Sequence, residues 1–477
     1  MASRPNPLEP VIVNVSTLGV NVPADYTRVF GIVSYGDTGL EANTLKKVQR
    51  STISDLQLKE DSYTEAFLNS YFGNNARGEL YILETKAQEQ QTIKQYIVGD
   101  YFVKDATAYK CLQNDTATSL EDLTPTHLLE PSYWEETAEN KDYAVDDLYT
   151  TNGKTYKCIQ ADTSISATDL TPTNLTNTSY WTDITADIES EAISNAVKVL
   201  SDFVNTGKVR VYEWACPTVF YDNEDFINLV KSFASITAGQ YFSIELPSGT
   251  NPTSDPTFAL YTKSKSFIPV YPSSVSSESV NGAIVAIKSG SLYDLTSNNP
   301  LSPLQWKYAV GITPQDELTN NLLDALNQNG CNWVGTSLNN ICVLGGMVGD
   351  GKSWEYYFAL DTFIYQLIAG MGTRLISGSN APSTAITFDQ NGIDQVRDKL
   401  VAISTNMVAL KVLLEFGSDY DATNRLILNV GEWNIVDYVT YKSTQNEDWT
   451  NGMYNGASCY ANIGKFILQV QPNITIE

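Results

Sequence analysis

Residues 96 to 182 carry the same stretch of sequence twice, at a constant offset of 47 residues and without a gap. Tyr96 corresponds to Tyr143, Asp100 to Asp147, Tyr109-Lys110-Cys111 to Tyr156-Lys157-Cys158, and Gln113 to Gln160. Further on, Asp115-Thr116 corresponds to Asp162-Thr163, and Asp122-Leu123-Thr124-Pro125-Thr126 to Asp169-Leu170-Thr171-Pro172-Thr173. Ser132-Tyr133-Trp134 returns as Ser179-Tyr180-Trp181. Two copies at this period are two small modules, not a solenoid. Their Thr, Asp and Pro content and short alternating runs predict small β units.

The duplication interrupts a different pattern. Before it come a strand at 11–15, a buried-type strand at 28–34, a helix opened by a Ser62/Glu65 capping box with Tyr63, Ala66, Phe67 and Tyr71 on one face, and a strand at 79–84. After it the reading resumes with a helix at 187–204, a strand at 208–212, a helix at 222–233, and strands at 241–246 and 257–261. Then follow a helix at 282–288, a strand at 306–310, a helix at 316–327, and strands near Trp333 and at 341–344. A helix at 354–369 is apolar on nearly all sides and should be buried. Ile393, Val396, Leu400, Ile403 and Met407 step at helical spacing, and a final strand covers 466–470. The fold class is therefore α/β (α+β), multi-domain, with a pair of small β modules inserted into a domain that continues on both sides. A surface loop tolerates such an insertion because closing a longer loop costs little extra entropy. The boundaries are 1–22 (arm), 23–93, 94–139 and 140–183 (the two repeats), 184–280, 281–460, and 461–477 (arm).

The net charge of −25 argues against a role resting on phosphate contacts, so no nucleic-acid partner is expected, and it makes any polymer of this chain salt-sensitive. The 28 Tyr suit surfaces that become interfaces. The start lacks an apolar signal core, and no run approaches the roughly 18 apolar residues of a membrane span, so membrane insertion is not expected and folding in a cytoplasm is. The six cysteines form no CxxC pair and read as free buried thiols; Cys111 and Cys158 occupy equivalent repeat positions. His127 is the single histidine, and the second repeat has Asn174 there. A catalytic triad or histidine-ligated metal site is therefore not expected, and no catalytic residue, cofactor or metal is assigned.

One motif competes. Gly346-Met347-Val348-Gly349-Asp350-Gly351-Lys352-Ser353 matches GxxxxGK[ST] between an apolar strand and a helix, the context in which Gly346, Gly351, Lys352 and Ser353 would cradle a nucleotide. Asp350 points negative charge at the phosphate position. The best magnesium-binding Asp downstream, Asp389, is followed by a polar turn, and little chain remains for an NTPase domain. A structural Gly turn before a buried helix is the favoured reading, with a P-loop NTPase as an alternative.

Four stretches resemble the bacteriophage contractile tail sheath family: Thr27 to Gly36 (TRVFGIVSYG), Phe67 to Asn75 followed by Leu80-Tyr81-Ile82-Leu83, Gly311-Ile312-Thr313-Pro314 running on to Cys331-Asn332-Trp333-Val334, and Gly349-Asp350-Gly351 leading into an aromatic helix with Asp361. The resemblance implies a structural protein, not an enzyme, that polymerises around a tail tube and contracts to drive the tube through the host envelope. Its implied partners are itself in stacked hexameric rings, the tail tube protein, and the baseplate and tail terminator proteins. Its implied place is the virion tail, assembled in the host cytoplasm. It also implies terminal arms that lend strands to neighbouring copies, here Val11, Val13 and Val15 and Phe466, Leu468 and Val470, although alternation alone equally fits edge strands of the chain's own sheet.

The repeats resemble small chitin- or cellulose-type carbohydrate-binding modules in Tyr96, Gly99-Asp100, Tyr109, Pro125 and Trp134, and in Tyr143, Asp147, Gly153, Tyr156, Pro172 and Trp181. This implies glycan contact through Tyr109, Trp134, Tyr156 and Trp181, and a glycan-binding tail or baseplate adhesin with cell-surface glycan as partner is the alternative function. A Tyr–Trp pair in so small a domain is more often its core.

Overall fold

The computed structural model describes residues 26–74, 76–88, 93–119, 122–206, 210–234, 239–261, 264–290, 300–380, 385–413, 418–420, 426–429 and 433–459. The six arm residues named above lie outside these. The chain divides into two compact units, one of Met1–Ala87 with Ala196–Glu477 and one of Gln88–Asn195. The architecture is α+β, with helices, one large mixed sheet and several small separate sheets.

In the larger unit, β1 (Val29–Ser34), β2 (Thr44–Val48), α1 (Tyr63–Gly73) and β3 (Glu79–Glu84) precede the insertion. Helix α2 (Thr185–Thr206) spans the division of the chain and is followed by β4 (Glu213–Cys216), α3 (Glu224–Ser232), β5 (Tyr241–Glu245), α4 (Pro256–Tyr261), β6 (Phe267–Val270) and α5 (Val280–Gly290). The six strands form one sheet in the order β6-β5-β4-β1-β3-β2, parallel except for β2. Strand order reverses between β1 and β4, as in doubly wound sheets. β4, β5 and β6 are buried at every position, so their sequences do not alternate, and the polar residues among them, Glu213, Ser243 and Glu245, are buried too.

Half of the expected capping box forms at the start of α1: the Ser62 hydroxyl accepts from the Glu65 amide at 3.2 Å, whereas the Glu65 carboxylate accepts from the amide of Asp61 at 2.9 Å and not from that of Ser62. Helices α1 and α5 approach closely because Gly282 has no side chain; a Cβ there would stand 2.5 Å from the Phe67 carbonyl oxygen. On α5, Lys288 meets Glu213 of β4, and on α7 (Trp354–Asn380) the Asp361 carboxylate accepts from the hydroxyls of Tyr212 and Tyr241 and the amide of Gly239.

Four expected elements are corrected. The strand expected at 208–212 lies further on, as β4, and the stretch expected as a strand at 306–310 forms a single bridge, Tyr308 with Cys342. Residues 257–261 form helix α4 and not a strand, because Asp255 caps the amides of Thr257 (2.7 Å) and Phe258 (3.2 Å) and Pro256 sits in the first turn. The helix expected from 316 begins later, as α6 (Asn320–Gln328), where the Thr319 side chain caps it. Beyond it, β7 (Trp333–Ser337) and β8 (Asn340–Leu344) form a hairpin. After α7 come α8 (Gln390–Ala409), the pair β9 (Ser418–Tyr420) and β10 (Leu426–Asn429), β11 (Trp433–Ile435), α9 (Tyr438–Thr444), α10 (Asn446–Thr450) and β12 (Ala457–Cys459), which pairs antiparallel with β11.

Candidate functional site

Each repeat folds into the same pair of small sheets. In the first, Gln95–Tyr96 pairs with Asp115–Thr116, while Tyr101–Lys104, Thr107–Cys111 and Trp134–Thr137 form a three-stranded sheet. In the second, Asp142–Tyr143 pairs with Asp162–Thr163, beside a sheet of Leu148–Thr151, Lys154–Cys158 and Trp181–Asp183. The rings repeat in geometry as well: Tyr96 meets Trp134, and Tyr143 meets Trp181, at 5.3 Å between centroids and 80° between planes. Such edge-to-face contacts suit the aromatic quadrupole.

The sequence shows Asp115 and Asp162 as repeated residues without a role; the structure makes each the hub of its module. Asp115 accepts the Trp134 indole N–H at 2.9 Å, the His127 amide at 3.0 Å, and lies 2.8 Å from His127 Nδ1. Asp162 accepts the Trp181 indole N–H at 2.9 Å, the Asn174 amide at 2.9 Å and the Asn174 side-chain amide at 2.8 Å. Burial alone would raise both carboxyls, and these donors outweigh it, so both are held below the usual range. A signal existed in the sequence: the Asp-to-Trp spacing of 19 residues is the same in both copies. A further matched pair was missed, Lys94 over the Tyr96 ring and Lys141 over the Tyr143 ring.

These contacts decide what each named aromatic can do. Trp134 and Trp181 are 2% exposed, with their N–H groups consumed by the carboxylates, so neither offers a ring face to a sugar. Tyr109 and Tyr156 are half-buried against the module cores. Tyr109 also lines a cleft of about 540 Å³ with Lys104, Thr126, His127, Leu129 and Glu130. His127 stacks on Tyr133 at 4.3 Å, and its hydrogen bond to Asp115 raises its pKa. At the 47-residue offset the second module has Thr151, Asn174, Thr176 and Asn177 in place of Lys104, His127, Leu129 and Glu130, so the two copies of this surface differ in charge. Cys111 and Cys158 are buried free thiols, each bonded to a backbone carbonyl within its own module.

The GKS loop does not form a phosphate cradle. Its preceding strand, β8, belongs to an antiparallel hairpin and not to the parallel sheet. The loop closes on itself, with Val348 N–H donating to the Lys352 carbonyl and Gly351 N–H to that of Val348, so amides a phosphate would need are used internally. Lys352 lies over the rings of Tyr356 and Tyr357. Asp389 caps α8 by accepting from Gly392 N–H at 2.9 Å. At the carboxyl end of β1, beside the reversal of strand order where open α/β sheets hold anionic ligands, the donors converge on the chain's own Glu84. Its carboxylate accepts from Ser34 Oγ, Gly36 N–H, Thr38 N–H and Thr38 Oγ1 at 2.7 to 3.1 Å. Among the described residues no group of three or more His, Cys, Asp or Glu is placed to hold a metal ion, and no described helix is long and apolar enough to cross a membrane.

The sequence model of carbohydrate-binding module family 5/12 matches residues 137–182, the second module. A solved structure, a sheath tail protein from Desulfitobacterium hafniense, aligns with 83% of this chain and 90% of its own at 10% identity, with a TM-score of 0.40, too low to carry an argument from shape. No curated protein matches the chain.

Proposed function

We propose that this chain is a self-assembling structural subunit of a contractile phage tail sheath, carrying a tandem pair of carbohydrate-binding-type modules as an insertion. The observation that supports it most is the ribbon β11–β12. It holds three residue pairs, Trp433 with Cys459, Asn434 with Ser458 and Ile435 with Ala457, and is two-stranded among the described residues. A lone ribbon of this size is marginal in water. It is laid on α8, where Trp433 Nε1 donates to Ser404 Oγ at 2.9 Å, and it ends just before the segment 461–477 proposed as an arm. Strands contributed by adjacent copies, from 11–15 and 466–470, would extend it by backbone hydrogen bonding, giving a joint that hinges without breaking. Further support comes from the four sequence stretches that resemble the sheath family; their described residues all lie in the larger unit.

Negative-stain microscopy of the purified full chain tests this. Hollow striated tubes or rings are expected, and removal of residues 461–477 is expected to abolish them. Discrete monomers at every salt concentration would sink the proposal.

The family match at 137–182 favours a second reading, in which the modules hold a glycan. Tyr109 and Tyr156, not the tryptophans, are then the contacts to test. Co-sedimentation of the full chain with insoluble chitin or cellulose should weaken in Tyr109→Ala and Tyr156→Ala. No retention of the wild type on either polymer would remove this reading.

A further inference from the structure

We infer that the β-structure built from residues 306–310, β8 and β7 is a contact face for a second copy of this chain. This rests on the self-assembly reading above and gives it a location.

The segment 306–310 runs antiparallel to β8. Trp306 N–H donates to the Val343 carbonyl, Val343 N–H to that of Lys307, and Ala309 N–H to that of Ile341. Trp306, Tyr308 and Val310 alternate outward along it, with Tyr308 67% and Val310 60% exposed, while Ala309 between them is buried. At the tip of the β7–β8 hairpin Leu338 is 92% exposed, while Ile341 of β8 pairs with Ala309 and so lies on the opposite side from Tyr308. Scattered apolar residues are ordinary on a surface, but four so close together, including a Trp and a Tyr, have the composition of an interface centre.

The backbone adds an independent observation. Trp306 has φ +72° and Leu338 φ +48°, left-handed conformations that disfavour large side chains. A two-residue hairpin turn of this kind normally takes Asn or Gly at such a position. Strain is thus spent on placing two large apolar side chains at the surface, as happens at sites where they are used.

Charge selects the partner. The chain carries 55 Asp and Glu against 30 Lys and Arg, so copies repel wherever their acidic surfaces meet. Yet residues 300–315 hold no acid and a single cation, Lys307, and residues 325–349 hold no charged residue at all. The carboxylates that touch these segments are already engaged: Glu278 accepts from Thr313, Glu355 from the Leu304 amide, and Asp316 from Thr336 of β7. Two copies meeting through this face bury aromatic area without bringing like charges together, which fits an apolar centre with a polar rim.

The test uses the full chain with Tyr308→Glu and Val310→Glu, and Val439→Glu, which introduces the same charge at an exposed apolar site on α9, as control. Self-association is followed by sedimentation velocity and negative-stain microscopy over protein and salt concentration. The two face variants are expected to raise the concentration needed for association by about tenfold or more, at unchanged melting temperature, and the control to leave it unchanged. If the face variants associate like the wild type, the inference is overturned while the sheath reading stands. Small wild-type oligomers lost in both face variants, with tubes never seen, would keep the inference and overturn the sheath reading. A wild type that stays monomeric throughout overturns both.

Discussion

Lys288 on α5 donates to both carboxylate oxygens of Glu213 on β4, at 2.7 and 2.8 Å, with neither side chain exposed. Burial pulls the ammonium below its ordinary range, against the attraction of Glu213. The pair fixes a helix to the strand beside which the order of the main sheet reverses. Its desolvation makes it a poor source of net stability and a severe point of failure.

Lys288→Met should therefore destabilise the chain by about 3–5 kcal/mol, by leaving the buried Glu213 carboxyl without its partner. The double variant Lys288→Met with Glu213→Leu should return close to the wild type. Denaturant midpoints at unchanged slope read both effects. A single variant within about 1 kcal/mol of the wild type would mean that water reaches the pair.

The two modules should respond differently to pH. The His127 pKa is raised by Asp115, with Glu130 adding to the effect and Tyr133 stacked on the ring. A raised histidine stabilises the fold fully below its unfolded value, near 6.5, and this contribution is lost as pH rises through the folded pKa. Asp115, being lowered, titrates well below this window. Hydrogen exchange should show protection of residues 94–139 falling from pH 6 towards pH 8 relative to 140–183, with Asn174 in the histidine's place. His127→Asn should make the two modules alike. Equal pH responses in the wild type would contradict this.

Asp361 gives the opposite trend to an ordinary carboxylate. Burial lifts it to about 6, outweighing the bonds from Gly239, Tyr241 and Tyr212. A carboxyl raised on folding favours the folded state most where it is protonated, so its contribution is present below about pH 4 and is lost as pH rises through 6. Relative to Asp361→Asn, the wild type should lose about 3 kcal/mol between pH 4 and pH 7.5. A difference between the two proteins that does not vary with pH would refute this.

Magnesium-ATP should leave the melting temperature of the wild type unchanged, because the loop before α7 uses its own amides and Glu84 already fills the donor cluster at the end of β1. Lys352→Ala should behave likewise. Stabilisation by nucleotide that disappears in that variant would reverse this conclusion.

The sequence alone determined what depends on neighbours along the chain. The duplication, the Ser62 cap, the helical stripe from Ile393 to Met407 and the insertion of two modules into an α/β pattern are local or periodic signals, and they reappear in the described structure. Tertiary structure decided everything that depends on partners distant in sequence. Trp134 suited a core and also a sugar until Asp115, 19 residues away, took its N–H. The GKS loop had the right spacing, but its strand pairs within a hairpin rather than a parallel sheet, which no local pattern encodes. The reason is common to both: a residue's chemistry is fixed by its type, whereas what it faces is fixed by chain closure.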